Sequence, residues 1–340
     1  MILPPRPILE QVADFIHGII GEYPKREPVR RFFNIDKRAF DLLLSQIAAR
    51  HWPNALRRIK RNGFSEKSNP GIASTVLFYP VLTDIIKTID ESIEYLDDLV
   101  DKYLEMRAVW FVGAGVSFEA EIGWQTVKAA LRRCLAYKIS SKDFEKEWKT
   151  DGKGGRLWKE LRAMPEAMAK FKQAIASYIK SVKQKGKISK AHRLLANLWK
   201  KGKIEHLICF NWDDFIEYSI KSTIPIAYGS ITGSIGKIHF WKPCGCVTHV
   251  DKPWLFPDQD IKLPPQLIDA LAANIPRIGI TVGFGGSVNF DKKYLKHLMG
   301  EGTYIYDIRP VLKPSVDLGD VSIKVGATFA LDFIAKKILK

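Results

Sequence analysis

The stretch AVWFVGAGVSFEAEIGWQTV, Ala108–Val127, constrains the fold more than any other part of the chain. An unbroken apolar run is the mark of a strand buried on both faces, which is the condition of strands in a parallel sheet. Here that run leads straight into Gly113-Ala114-Gly115, and beyond Ser117 the pattern turns helical. A buried strand that ends in Gly-x-Gly and enters a helix lets backbone approach a diphosphate closely. The helix start then offers unpaired N–H groups to the anion. The alternative is a glycine turn without a ligand. The fingerprint of hydride-transfer enzymes has a third glycine where this chain has Phe118. It also has an acidic residue about 20 residues on, after a second strand, where this chain continues as helix. GSITGSIGKI is no phosphate loop either, because Ile231 stands at the first glycine and Ile238 at the required Ser or Thr.

The rest of the chain suits such a sheet. IEHLICF, KIHFW, RIGITVGF, TYIYDIRP and VSIKV read as further strands, and ATFALDFIAKKIL as a terminal helix. Strands alternating with helices predict an α/β fold, a Rossmann-like parallel sheet with helices on both faces. The helical patterns between AVWFV and IEHLICF predict an inserted helical module over about residues 128–203. Residues 1–105 read as an N-terminal helical region, ahead of a domain over 106–340. That region ends in DIIKTIDESIEYLDDLVDKYLEM, where Ile85, Ile86, Ile89, Ile93, Leu96, Val100 and Tyr103 form one apolar stripe.

The net charge of +16 is unevenly placed. Residues 128–203 hold 22 Lys and Arg against 6 Asp and Glu, and residues 25–67 hold 12 against 4. Residues 84–105 run the other way, with 8 acidic against 2 basic. The basic insert suits an acidic partner such as nucleic acid; the alternative is a set of lysine-rich solvated helices. Of the 4 cysteines only Cys244 and Cys246 lie close together, as Cys-Gly-Cys, so neither a disulfide framework nor a metal site is expected. The opening MILPPRPILEQVADF lacks the order of a signal peptide, and no apolar run nears the roughly 20 residues of a membrane helix. The expectation is a cytoplasmic protein that does not enter a membrane.

A second constellation follows the strand IEHLICF. In CFNWDDFIE, Asn211, Asp213 and Asp214 stand where ligands of open α/β sheets bind, at the carboxyl edge. By itself the stretch also reads as the cap of the next helix. Taken together the two stretches resemble the SIR2 superfamily, the sirtuins and their SIR2-like relatives. Gly113, Ala114, Gly115 and Ser117 match that family's Gly-Ala-Gly-x-Ser, and Trp124 fits a tryptophan of the SIR2-like branch. Asn211, Asp213, Asp214 and Glu217 match its Asn-x-Asp segment, and AHRLLANLWKKGKIEHLI, with His192, its lead-in helix. ITVGFGGSVNFD is similar to its Val-Gly-Tyr-Ser segment, which adds Gly283, Phe284 and Gly285; Asp307 in TYIYDI is counted with the cofactor-binding residues.

The resemblance covers residues 106–340 and implies NAD as substrate or ligand, without a metal. It implies cleavage of the nicotinamide–ribose bond through an oxocarbenium-like transition state, which positioning and electrostatics serve. Asn211 would orient the attacking water or ribose, Asp213 would hold the nicotinamide amide, and Ser117 with the Gly-Ala-Gly backbone would hold phosphates and ribose. The chain departs from the family at its catalytic histidine. Lys242-Pro243-Cys244-Gly245-Cys246 aligns with Lys-x-His-Gly-Ser, so Cys244 stands where the histidine is expected. A free thiol, with a pKa near 8.5, is a poor base at neutral pH. His239 lies on the opposite face of a regular strand and roughly 16 Å along it, unless Pro243 breaks the strand. His249 is a further unplaced candidate.

Three functions follow as expectations. The first is an NAD glycohydrolase, of the kind that serves prokaryotic antiviral defence by depleting NAD, with the N-terminal helices mediating homo-oligomers or a complex. The second is an NAD- or ADP-ribose-binding sensor or partner module, impaired by Cys244. The third is a nucleic-acid-associated protein that uses the basic insert. Deacylation is not expected, for neither a zinc ribbon nor a peptide groove is evident.

Overall fold

The computed structural model describes residues 79–120, 124–150, 155–221, 226–228, 239–261, 263–272, 277–284, 290–309 and 317–339. The N-terminal helical reading over residues 1–78 lies outside them. Seven parallel strands form one sheet in the order β3-β4-β2-β1-β5-β6-β7. They are β1 (Arg107–Val112), β2 (His206–Cys209), β3 (Ile226–Tyr228), β4 (Phe240–Lys242), β5 (Arg277–Val282), β6 (Tyr304–Ile308) and β7 (Val321–Ile323). From β1 the chain winds outward to β2, β4 and β3 on one side and to β5, β6 and β7 on the other. The direction of winding therefore reverses between β1 and β5, and the crevice at such a reversal is where open α/β sheets bind ligands.

β1 is central because nearly all of it is buried. Ala108, Trp110 and Val112 face one core, and Val109 and Phe111 face the other. The first core is covered by α1 (Tyr79–Glu105), α6 (Lys190–Lys200), α7 (Phe215–Ile220) and α10 (Ala327–Ile338). The second is covered by α8 (Pro265–Ala272) and α9 (Lys292–Met299). Of the expected stripe of α1, Leu96, Val100 and Tyr103 are buried with Leu99 against the sheet, and the side chains of Ile85, Ile86 and Ile89 lie outside the described residues. Tyr103 donates to the carbonyl of Lys203 at 2.5 Å and accepts from the Trp110 indole at 3.1 Å. Tyr306 in β6 donates to Asp98 at 2.5 Å, so α1 is tied to the sheet by polar contacts as well.

The insert has a core of its own. It comprises α2 (Trp124–Leu135), α3 (Ser141–Thr150), α4 (Gly155–Arg162) and α5 (Pro165–Gln184). α5 starts with Pro165, whose fixed φ and missing N–H suit a first helical turn. Leu131, Leu135, Phe144, Leu157, Trp158, Phe171 and Ile175 fill the core together with Phe215, Trp254 and Phe256 from outside the insert. Trp158 stacks on Phe256 at 5.3 Å and meets Trp212 edge-on at 6.4 Å. Arg162 forms a two-pronged ion pair with Asp258 at 2.5 and 2.6 Å, and Lys172 donates to the carbonyls of Val250 and Lys252. The segment after β4 is thus fastened to the insert. Part of the insert's positive charge is paired: Lys128 with Glu145 and Arg156 with Glu147 inside it, and Lys183 with Asp214 at the start of α7.

Trp158 is fully buried at the centre of this second core. Trp158→Ala is expected to cost about 3–5 kcal/mol of unfolding free energy in chemical denaturation, as large aromatic truncations do. A loss below about 1 kcal/mol would contradict this packing.

Candidate functional site

The register of the sheet brings distant residues together. Val112 pairs with Cys209 on one side and with Val282 on the other. Gly113, Phe210-Asn211 and Gly283 therefore leave the sheet side by side at its carboxyl edge. Trp241 pairs with Ile208, which puts Lys242 at the same edge.

The glycines have a partner within the protein. Gly113 donates its N–H to the carbonyl of Val282 at 3.0 Å, and Gly115 to that of Gly283 at 2.8 Å. A Cβ on Gly113 would lie 2.3 Å from the Phe284 Cα, and one on Gly115 2.7 Å from the Gly283 Cα. Gly283 has φ +57 and a Cβ there would meet the Val116 nitrogen at 2.6 Å. The bare backbone first serves a seam between the β1 and β5 loops. The side facing outward carries Ala114, which is exposed, and Gly115, which is half-buried. Phe284 is buried and packs on Phe210, ring centres 4.6 Å apart.

A short 3₁₀ turn, Ala114–Ala120, aims Ser117 inward. Its hydroxyl donates to Asp213 Oδ2 at 2.8 Å and accepts from Asn211 Nδ2 at 3.1 Å. Asn211 Nδ2 also donates to the Gly113 carbonyl at 3.0 Å, which settles the orientation of the amide. Both of its N–H bonds are thereby used, and the amide oxygen is what Asn211 has left to offer. Asp213 turns the chain into α7, accepting from the Phe215 N–H at 3.3 Å.

His192 backs this group. Its Nε2 lies 3.2 Å from Ser117 Oγ and its Nδ1 2.6 Å from Ser189 Oγ. Ser189 is the N-cap of α6, accepting from the His192 N–H. Desolvation lowers the His192 pKa to about 4, with Asp213 opposing the shift. With the Ser189 hydroxyl donating to the Val116 carbonyl at 3.0 Å, the neutral ring donates to Ser189 from Nδ1, and Nε2 faces the Ser117 oxygen.

Other expected site residues are placed elsewhere. His239 precedes β4 at the amino edge, with its ring 5.0 Å from that of His206 and its Nδ1 2.9 Å from the Glu205 carbonyl. Five residues of chain separate His206 from Asn211, roughly 16 Å of strand. Cys244 is at the carboxyl edge, in the turn that Pro243 begins, and is buried. Desolvation raises its thiol pKa to about 12, although Lys242 pulls the other way. Asp307 is buried within the sheet, where it accepts from Thr281 and Arg309, each at 2.6 Å. Gly285 and the side chain of Trp124 lie outside the described residues.

The sequence reading singled out Lys242 only as a neighbour of Cys244. Its ammonium is fully buried, donates to the Asp213 carbonyl, and lies 3.0 Å from Glu217 Oε1. Desolvation would lower its pKa, but the acidic groups around it, Cys246 and Glu217 foremost, raise it well above the usual lysine value. The local signal for this role was thin: a lysine ending an apolar strand, with its acidic partner 25 residues earlier, in α7. Among the described residues no group of three or more His, Cys, Asp or Glu is placed to hold a metal ion, and no helix is long and apolar enough to cross a membrane.

The fold is similar to that of solved Sir2 proteins. One is a Sir2 homologue in complex with NAD, at 19% identity and TM-score 0.40, covering 71% of this chain and 93% of that one. Another is a mutant Sir2 homologue in complex with 2'-O-acetyl ADP ribose, at 18% identity and TM-score 0.42, covering 71% and 96%. A third comes from work on the mechanism and regulation of Sir2 enzymes, at 15% identity and TM-score 0.41, covering 72% and 96%. No family model matches the chain. No curated protein matches it either.

Two predictions follow from this geometry. Gly113→Ala should lower the unfolding free energy by about 1–3 kcal/mol, because the Phe284 backbone has to move; an unchanged denaturation midpoint would refute the seam. His192 and His206 are both held at a pKa of about 4, each mainly by desolvation. The unfolded chain takes up these protons near pH 6.5 and the folded chain does not. Their contribution to stability is therefore complete above pH 6.5 and is lost as pH falls from there to about 4. His192→Gln should make the unfolding free energy flatter in that interval.

Proposed function

We propose that the crevice between the β1 and β5 loops binds NAD and that the protein hydrolyses the nicotinamide–ribose bond. The observation that carries the reading is the convergence of Ser117, Asn211 and Asp213 beside a turn without bulky side chains, at the reversal point of the sheet. Ala114 and Gly115 leave the backbone open to a diphosphate on the outer side of the turn. The resemblance of these stretches to SIR2 motifs points to the same ligand.

The scissile bond breaks toward a cation-like ribose, so the protein's task is placement and charge rather than covalent attack. Asn211, with both N–H bonds tied down, presents its amide oxygen to a water proton and so turns a water lone pair toward the ribose. Ser117 holds Asn211 and Asp213 in one arrangement. The Asp213 carboxylate, on the same turn, favours positive charge developing beside it. Cys244 remains a neutral thiol at pH 7 and does not act as base.

The Cys244 thiol also favours a second reading, a module that binds NAD or ADP-ribose without cleaving it. Chromatographic detection of nicotinamide released from NAD by the purified protein separates the two. Under the hydrolase reading Asn211→Ala lowers release by about 100-fold or more, the scale on which one preorganised polar group counts in catalysis. Cys244→Ala stays within about threefold of the wild type, because no proton passes through the thiol. Absence of release from the wild type, with NAD still raising its melting temperature, would leave the binding module. Absence of both would end the NAD reading.

A further inference from the structure

We propose that Lys242 is a positioning residue for the Asn211–Asp213 turn, acting through the main-chain carbonyl of Asp213. The inference rests on the hydrolase reading for its kinetic consequence, but not for its structural one.

The turn carries the site's polar side chains, yet it follows a four-residue strand and precedes a six-residue helix. Neither element is long enough to hold it rigidly. Besides Ser117 and the carbonyls of Gly113 and Leu255, three groups reach it from outside. The Trp212 carbonyl accepts from the Val247 N–H at 2.8 Å, the Asp214 carboxylate pairs with Lys183 at 2.6 Å, and the Asp213 carbonyl accepts from Lys242. Of the two lysines, only Lys242 is wholly buried, and it starts from the end of β4, a rigid element of the sheet. Its second partner, Glu217, sits in α7, one turn beyond Asp213. The ammonium therefore joins a strand, the site turn and the helix after it.

This arrangement is costly as pure stabilisation. A buried ion pair often gives way to apolar residues of similar size without loss of stability. Glu217 Oε2 is buried and makes no hydrogen bond, so the pair is not even fully satisfied. Its other oxygen has Lys242 and, at 3.8 Å, the Cys246 thiol. What the lysine supplies that an apolar side chain cannot is a directed donor to the Asp213 carbonyl. That donor fixes the peptide preceding Asp214 and hence the direction of Asn211 two residues earlier.

The test uses two variants of the full chain. Lys242→Met leaves the Glu217 charge buried alone and is expected to lower the melting temperature. Lys242→Met combined with Glu217→Leu removes both charges and is expected to restore it. In the double variant kcat for nicotinamide release should remain down by about 100-fold, the cost of a small misplacement of reacting groups, with KM within about threefold. Recovery of kcat together with stability would overturn the proposal and leave Lys242 a structural residue. Amide hydrogen exchange reads the same claim without NAD. The Phe215 amide, bonded to Asp213, should exchange at least about tenfold faster in the double variant, as a loosened turn requires. Unchanged protection would also overturn the proposal. If the wild type releases no nicotinamide, the hydrolase reading fails on its own and the exchange experiment still decides the role of Lys242.

Discussion

The molecule depends on a backbone contact that tolerates no Cβ. Gly113 and Gly115 lie against Gly283 and Phe284 so closely that the loops after β1 and β5 form one unit. These are the two strands between which the sheet reverses its winding. In an ordinary doubly wound sheet the reversal opens a crevice, because successive crossovers leave in opposite directions. Here the floor of that crevice is sealed by hydrogen bonds between the two loops. The seam also sets where the 3₁₀ turn begins, and so where Ser117 enters the interior. Asn211, Asp213 and His192 all meet that residue.

The polar group around Ser117 shows how a buried site is kept in one state. Ser117, Asn211, Asp213 and His192 are all nearly inaccessible to water, and each finds partners among the others or in the backbone. Leaving any one of them unpaired would cost about 1–3 kcal/mol. The network therefore resists rotation of any single side chain. His192 contributes without charge: burial keeps its ring neutral between the two serines, and Ser189 is bonded in turn to the Val116 carbonyl. The two serines differ in origin. Ser189 is there because α6 needs a cap, and Ser117 because the glycine turn ends at it.

Much of this was legible in the sequence, for identifiable reasons. β1, β5 and β6 announce themselves because a strand covered on both faces must be largely apolar, and the stripe of α1 because a helix on a sheet buries one face. Asn211 and Asp213 were visible because they directly follow such a strand. β3 was not, since Ile226–Tyr228 is too short to make a pattern. The packing role of the glycines was not legible: the same absence of side chains suits a diphosphate or another loop, and Gly283 is far away in sequence. Lys242 escaped notice because a lysine at a strand end ordinarily reaches water. Asp307 looked available because nothing local shows that Arg309, two residues on, folds back to hold it.

Under the proposed hydrolase reading, the thiol of Cys244 bears differently on the separate steps of the chemistry. Departure of nicotinamide leaves the ribose with positive charge and takes no proton from the protein, so a neutral thiol at Cys244 does not impede it. Capture by water produces an excess proton only as the new bond forms, when the cation is already a strong electrophile. An acceptor as weak as an amide oxygen can orient that water, and Asn211 has no other free valence to offer. Activation of a ribose hydroxyl is another matter, because a hydroxyl that must attack a weak electrophile needs a true base. Neither Cys244, with its thiol pKa near 12, nor His239, at the far edge of the sheet, can provide one there. Under that reading, Cys244 and His239 leave transfer to water favoured over transfer through the ribose hydroxyls.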